Sequence, residues 1–158
     1  MRSVPITIHG YSALRTTLER LLQVERPRLL QQIAEAKMMD SDPAESSELQ
    51  AAFDAHKANE EHILELEDWV ARAEVIDPAK LKGSTVKFGA TVSLRDEDTG
   101  ETKSLKIVGE MEADVDRGMI SCASPIARSL IGQKKGASVE VLTPTGAKNY
   151  EIKALRWR

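Results

Sequence analysis

The sequence predicts an α+β protein: an N-terminal antiparallel α-helical coiled-coil hairpin, then an antiparallel β-sheet carrying one short helix. Three observations carry this. Between Tyr11 and Met39 the apolar residues Leu14, Leu18, Leu21, Leu22, Leu29, Leu30, Ile33 and Ala36 recur at helical spacing. After an acidic break, Asp40-Ser41-Asp42-Pro43-Ala44-Glu45-Ser46-Ser47-Glu48, two seven-spaced rows begin, Leu49, His56, Ile63, Val70 and Ala52, Asn59, Leu66, Ala73, the pattern of a coiled-coil seam. From Gly83 onward the helical period gives way to short β-like runs between turn residues. Two domains follow, residues 1–77 and 78–158.

In chain order, Val4 to His9 is a β-leaning arm closed by Gly10 and expected to pack on the base of the hairpin. The first long helix contains Pro27, which lacks an N–H and crowds the carbonyl four residues earlier, so a bend is expected there. At 1.5 Å per residue that helix alone would reach roughly 40 Å and hold the acidic turn far from any globular body. The second helix has its start chemistry in Asp42 as N-cap, Pro43 at the first helical position and Glu45 completing a capping box. Val75-Ile76-Asp77-Pro78 reads as helix exit and linker. Strands are expected at Thr85 to Leu94, Lys103 to Val108, Met119 to Ser121, Ser138 to Thr143 and Asn149 to Leu155. Asp96-Glu97-Asp98-Thr99-Gly100 and Pro144-Thr145-Gly146 supply turns, and Ser124 to Ile131 has a serine cap and apolar spacing for one short helix.

Hydrophobic residues make up 41% of the 158 and charged residues 30%, a globular composition, and the formal net charge of −3 excludes an overall basic field that would recruit nucleic acid. Cys122 is the sole cysteine, which excludes an internal disulfide and a multi-cysteine zinc site. No segment approaches the ~20 apolar residues of a membrane helix, so a cytoplasmic, unanchored chain is expected.

Few side chains invite chemistry of their own. Gly132, Gly136 and Gly146 are scattered turn glycines rather than a phosphate-binding loop. His56 and His62 stand six apart on different sides of a helix, which does not suit zinc, and His56 reads as a polar seam residue that fixes register. Ser124 has no His and Asp nearby in sequence and reads as a helix cap; Cys122 reads as a small core residue. The stalk cations Arg15, Arg20, Arg26, Arg28, Lys37, Lys57 and Arg72 read first as a solvated face, and second as a face toward RNA or an acidic protein. Trp69 and Trp157 are expected to pack at the stalk base and in the second domain.

The run Ile120-Ser121-Cys122-Ala123-Ser124-Pro125-Ile126-Ala127-Arg128-Ser129-Leu130-Ile131-Gly132 resembles the signature of the Gre transcript-cleavage factors of bacterial RNA polymerase. The likeness extends through Phe88-Gly89-Ala90-Thr91-Val92, Ile107-Val108-Gly109, Glu112-Ala113-Asp114 and Thr143-Pro144-Thr145-Gly146. In the first half it includes Gly10, Glu25-Arg26-Pro27, Ile33-Ala34-Glu35-Ala36 and Val75-Ile76-Asp77, so it spans nearly the whole chain.

The resemblance implies a coiled coil that enters the polymerase secondary channel and an FKBP-like C-terminal domain that docks at the channel rim, through Ser124, Pro125, Ile126, Ala127 and Arg128. It implies an accessory factor rather than an enzyme, monomeric, whose tip acids Asp42 and Glu45 help hold a Mg2+ ion shared with the polymerase active site and promote cleavage of backtracked RNA. Lys37 and Lys57 would face the nascent RNA 3′ end. The tip departs from the family's Gly-Asp-x-x-Glu-Asn-Ala-Glu-Tyr: here it reads Ser41-Asp42-Pro43-Ala44-Glu45-Ser46-Ser47-Glu48-Leu49, with one residue inserted upstream, and Phe53 stands where an arginine is common. Three alternatives therefore stand beside cleavage stimulation. The first is a paralogue that occupies the channel and regulates without cleaving, the second a prolyl isomerase or chaperone module, for which the domain has few aromatics to build a proline pocket, and the third a structural adaptor.

Overall fold

The computed structural model describes residues 2–39 and 46–158. They pack as two compact units, Ser12–Arg72 and Met1–Tyr11 with Ala73–Arg158. The helices of the first are α1 (Ile8–Arg20), α2 (Arg26–Met39) and α3 (Ser47–Arg72), with a π-helical turn, Leu21–Glu25, joining α1 to α2. This turn is the form taken by the disturbance expected at Pro27. Proline cannot donate to the carbonyl four residues back and its ring crowds it, and a wider turn opens that spot. The Arg26 N–H accordingly reaches back five residues to the Leu21 carbonyl.

The wide turn also resets the seam. Leu14, Leu18 and Leu21 are buried before it, and alternate steps of four and three would continue to Glu25, Arg28, Gln32 and Glu35. One added residue brings Leu29, Ile33 and Ala36 into the seam instead, and these are buried. Ile33 and Ala36 form one apolar cluster with Leu49 and Ala52, while further back Arg26 meets Glu60 and Leu21 meets Asn59. Late residues of α2 thus meet early residues of α3, the antiparallel hairpin the sequence predicts. His56 is corrected: it shares a row with Leu49 and Ile63, but its imidazole lies partly exposed, 3.6 Å from Glu60. The buried polar residue of the seam is Asn59, whose Nδ2 donates to the Leu21 carbonyl at 3.4 Å.

In the second unit, β1 (Val4–Thr7) pairs in parallel with β2 (Ala73–Ile76), register Val4 to Ala73 through Thr7 to Ile76. The stretch expected to be helix exit and linker is therefore partly a strand, which β-branched Val75 and Ile76 favour. Thr7 caps α1, its Oγ1 accepting the Gly10 N–H at 3.1 Å and donating to Glu112. The other Glu112 oxygen accepts the N–H groups of Thr7 at 3.0 Å and Gly109 at 2.8 Å. A side chain at Gly10 would strike the Glu112 carboxylate, so the small residue is required by the knot beside it.

The five-stranded sheet has the order β5-β4-β3-β7-β6, with β3 (Ala90–Asp96), β4 (Thr102–Val108), β5 (Met119–Ser121), β6 (Ser138–Thr143) and β7 (Gly146–Trp157). All neighbours are antiparallel except β4 and β5, because the chain after β4 makes two single 3₁₀ turns, Glu110–Glu112 and Val115–Arg117, and returns in the same direction. The strand expected from Thr85 begins only at Ala90; Gly89, at φ 89°, turns the chain just before it. Helix α4 (Pro125–Leu130) buries Ala127 and Leu130 with Val92, Leu94, Ile107 and Ile152 in one core. Cys122 packs against that core and burial pushes its thiol up from the ordinary value, which keeps it protonated and favours the packing role. Trp157 is also packed there, its Nε1 donating to the Gly83 carbonyl at 3.2 Å.

Candidate functional site

Asp42 and Glu45 lie outside the described residues, but the helix ends on either side of them are defined. Met38 and Met39 end α2 and stand out in solvent. On the other side α3 starts at Ser47, and Ser46 is its cap: the Ser46 Oγ accepts the Leu49 N–H at 3.0 Å. The cap expected at Asp42, with Pro43 and Glu45, falls outside the described residues, and the described α3 begins at Ser47. A serine three residues before an apolar seam position was the signal for the Ser46 cap, and the Asp-Pro-x-Glu grammar obscured it.

Lys37 and Phe53 come together across the hairpin, with Nζ 5.6 Å from the ring centre. Lys57 is four residues beyond Phe53 on α3, hence on the same helix face, and exposed. Among the described residues neither lysine forms an ion pair.

Behind this end the sequence reading missed a polar layer. Arg26 is bidentate to Glu60, with both contacts at 2.8 Å, and Glu25 binds Arg28 at 2.7 Å. The hydrogen bond from Arg26 holds the Glu60 carboxyl below its ordinary value, and that from Arg28 does the same to Glu25. Pairing across helices at Arg26 and Glu60 could have been read from the seam register once the one-residue skip was seen.

In the second unit Ser124 caps α4, accepting the Ala127 N–H at 3.3 Å and donating to the Ser121 carbonyl at 2.6 Å. Pro125 occupies the first helical position and is exposed, as is Arg128; Ile126 is half-buried and Ala127 wholly buried. Of the five residues expected to dock, Pro125 and Arg128 are the exposed ones, while Ala127 seats the helix on the sheet. Among the described residues no group of three His, Cys, Asp or Glu side chains could hold a metal ion, and no helix is long and apolar enough to cross a membrane.

Comparison with known sequences identifies the class. Residues 4–75 match the family described as "Transcription elongation factor, N-terminal", and residues 81–156 match "Transcription elongation factor, GreA/GreB, C-term". The chain belongs to the GreA/GreB family of transcription elongation factors. Among curated relatives, the transcription elongation factor GreA of Methylobacterium sp. (strain 4-46) is 54% identical, covering 99% of each chain. That of Methylobacterium nodulans is 57% identical over 96% of each. The solved GreA factor homolog 1 (Gfh1) of Thermus thermophilus is 30% identical, with 98% of this chain and 99% of the other covered and a TM-score of 0.44.

Proposed function

We propose that this chain acts on transcribing bacterial RNA polymerase, inserting the hairpin into the secondary channel so that Asp42 and Glu45 stimulate the polymerase's own cleavage of backtracked RNA. The observation that carries the reading is the position of the Asp-x-x-Glu pair. It lies between two helices clasped by Ile33, Ala36, Leu49 and Ala52, next to a helix whose cap is already supplied by Ser46.

Carboxylate oxygens are the hard donors that Mg2+ takes, and two of them complete a coordination shell rather than make one, so the remaining ligands come from the polymerase. When bound, the metal supplies a polarised phosphate and an activated water. The chain's own residues present and orient: Asp42 and Glu45 would hold the ion, Lys37 and Lys57 would neutralise the RNA phosphates, and the start of α4, through Pro125 and Arg128, would dock the second unit at the channel rim. The chain is an accessory factor, monomeric, and the bond-breaking chemistry is the polymerase's.

The test is RNA cleavage in purified backtracked complexes. Addition of the protein accelerates magnesium-dependent cleavage, and Asp42→Ala with Glu45→Ala returns the rate to the factor-free level while polymerase binding persists. Equal cleavage by the double variant would remove these residues from the mechanism. Tight binding by the unaltered chain with no acceleration would favour a channel-occupying regulator, the reading that the substituted tip sequence supports.

A further inference from the structure

The five-stranded sheet uses one face for the core, and on the other β3 and β4 set Thr91 beside Lys106 and Ser93 beside Ser104. On that second face lies an open cleft of about 500 Å³, lined by His9, Thr91, Ser104, Lys106, Arg117 and Arg158 among others. Among the described residues no aspartate or glutamate side chain lines it. Among the described residues none of these four basic side chains forms an ion pair. In a chain of net charge −3 this is a local reversal of sign. The arrangement is built rather than incidental. The turn Val115–Arg117 ends at Gly118, φ 72°, whose carbonyl accepts the Lys106 N–H at 2.8 Å and which approaches the Ser104 backbone so closely that an added Cβ would sit 3.0 Å from its carbonyl oxygen. That pinning holds Arg117 against β4.

We infer that this cleft binds a small anion carrying two or more linked phosphoryl groups. Two guanidinium forks and an ammonium provide the bidentate and point-charge donors that phosphate oxygens take, and the two hydroxyls add donors at the floor. Three permanent cations exceed what a single carboxylate would neutralise. The volume falls within the range of small-ligand sites. Apart from His9 the lining has no aromatic ring on which successive bases would stack, which separates the cleft from a single-strand track. The inference is independent of the role proposed for the hairpin end.

Titration calorimetry of the full chain with tripolyphosphate, at about 0.1 M salt so that diffuse attraction is screened, tests it. Saturable one-to-one binding is expected, with amide shifts centred on Thr91, Ser104 and Gly118. Arg117→Ala with Arg158→Ala should weaken binding by at least about tenfold at an unchanged melting temperature, and Lys135→Ala, outside the cleft, should leave it as it was. Should the double variant melt early, Arg158→Ala alone, at the last residue, makes the same comparison without disturbing the turn. Absence of saturable heat, or undiminished binding by the arginine variants, overturns the inference. So does tighter occupancy of the cleft by a single-stranded oligonucleotide or by an acidic peptide than by tripolyphosphate, either of which would assign the surface to a macromolecule.

Discussion

The two units of this chain enclose their apolar residues by different means. In the sheet unit Val92, Leu94, Ile107, Ala127, Leu130 and Ile152 all have 0% exposure, because a helix laid on a twisted sheet covers them from every side. Near the far end of the hairpin Ile33 and Ala52 retain 8% and Leu49 4%, since two helices alone leave these residues a flank toward solvent, whereas Ile63 at 1% and Leu66 at 2% are covered farther back. The hairpin makes up for its thin seam with polar register: the Arg26–Glu60 fork and the Asn59 contact to the Leu21 carbonyl admit one alignment of the helices. A probe-like element can thus be narrow and still specific, provided that polar contacts rather than buried area choose the pairing.

Paired core truncations give the largest test of that contrast. Leu130→Ala should cost about 4 kcal/mol and Leu49→Ala about 2–3 kcal/mol, read by urea unfolding with helix and sheet signals followed separately. Equal costs would break the comparison. Next, Gly109→Ala places a Cβ 2.6 Å from the Pro5 carbonyl oxygen and should cost about 1–3 kcal/mol, with faster hydrogen exchange confined to β1 and β2. Asn59→Leu should change overall stability by less than about 1 kcal/mol, yet broaden amide resonances across α2 and α3 as alternative registers become accessible. Sharp, unchanged spectra would show that Arg26 and Glu60 suffice.

The smallest effect is acid sensitivity. Glu60, held by Arg26, and Glu25, held by Arg28, have folded-state pKa values below their ordinary 4.5. Their contribution is complete above that value and fades as pH falls through the lowered one, because only the ionised form keeps the arginine. Asp96 behaves alike in the other unit, through the backbone N–H groups of Asp98 and Thr99. Glu60→Gln should flatten the acid limb for the hairpin alone, measured by unfolding at pH 3 to 6.

Much of this was legible in the residues. Met119–Ser121 and Ser138–Thr143 fall where alternation and turn glycines place them, and α4 follows the serine predicted to cap it. What escaped was set by partners far away in sequence. Ala73–Ile76 becomes a strand because Val4–Thr7 arrives to pair with it, and Glu112 matters only because Thr7, Gly10 and Gly109 converge on it. The π-helical turn was written locally, as a one-residue skip between Leu21 and Leu29, but the proline drew attention to a bend instead. The cationic cleft could not be read from spacing, since His9, Lys106, Arg117 and Arg158 are gathered only by the fold.

The wide turn at Leu21–Glu25 also fixes how this stalk can change size. Helical stock can be inserted or removed only where both antiparallel partners keep step, so the reach of the hairpin is quantised at about two turns, roughly 10 Å, rather than one residue at a time. The single off-step residue here was admitted because a proline follows it at once. Elsewhere along α2 or α3 the same insertion would rotate every later side chain out of the interface, and length is the one property of this element that drift cannot adjust in small increments.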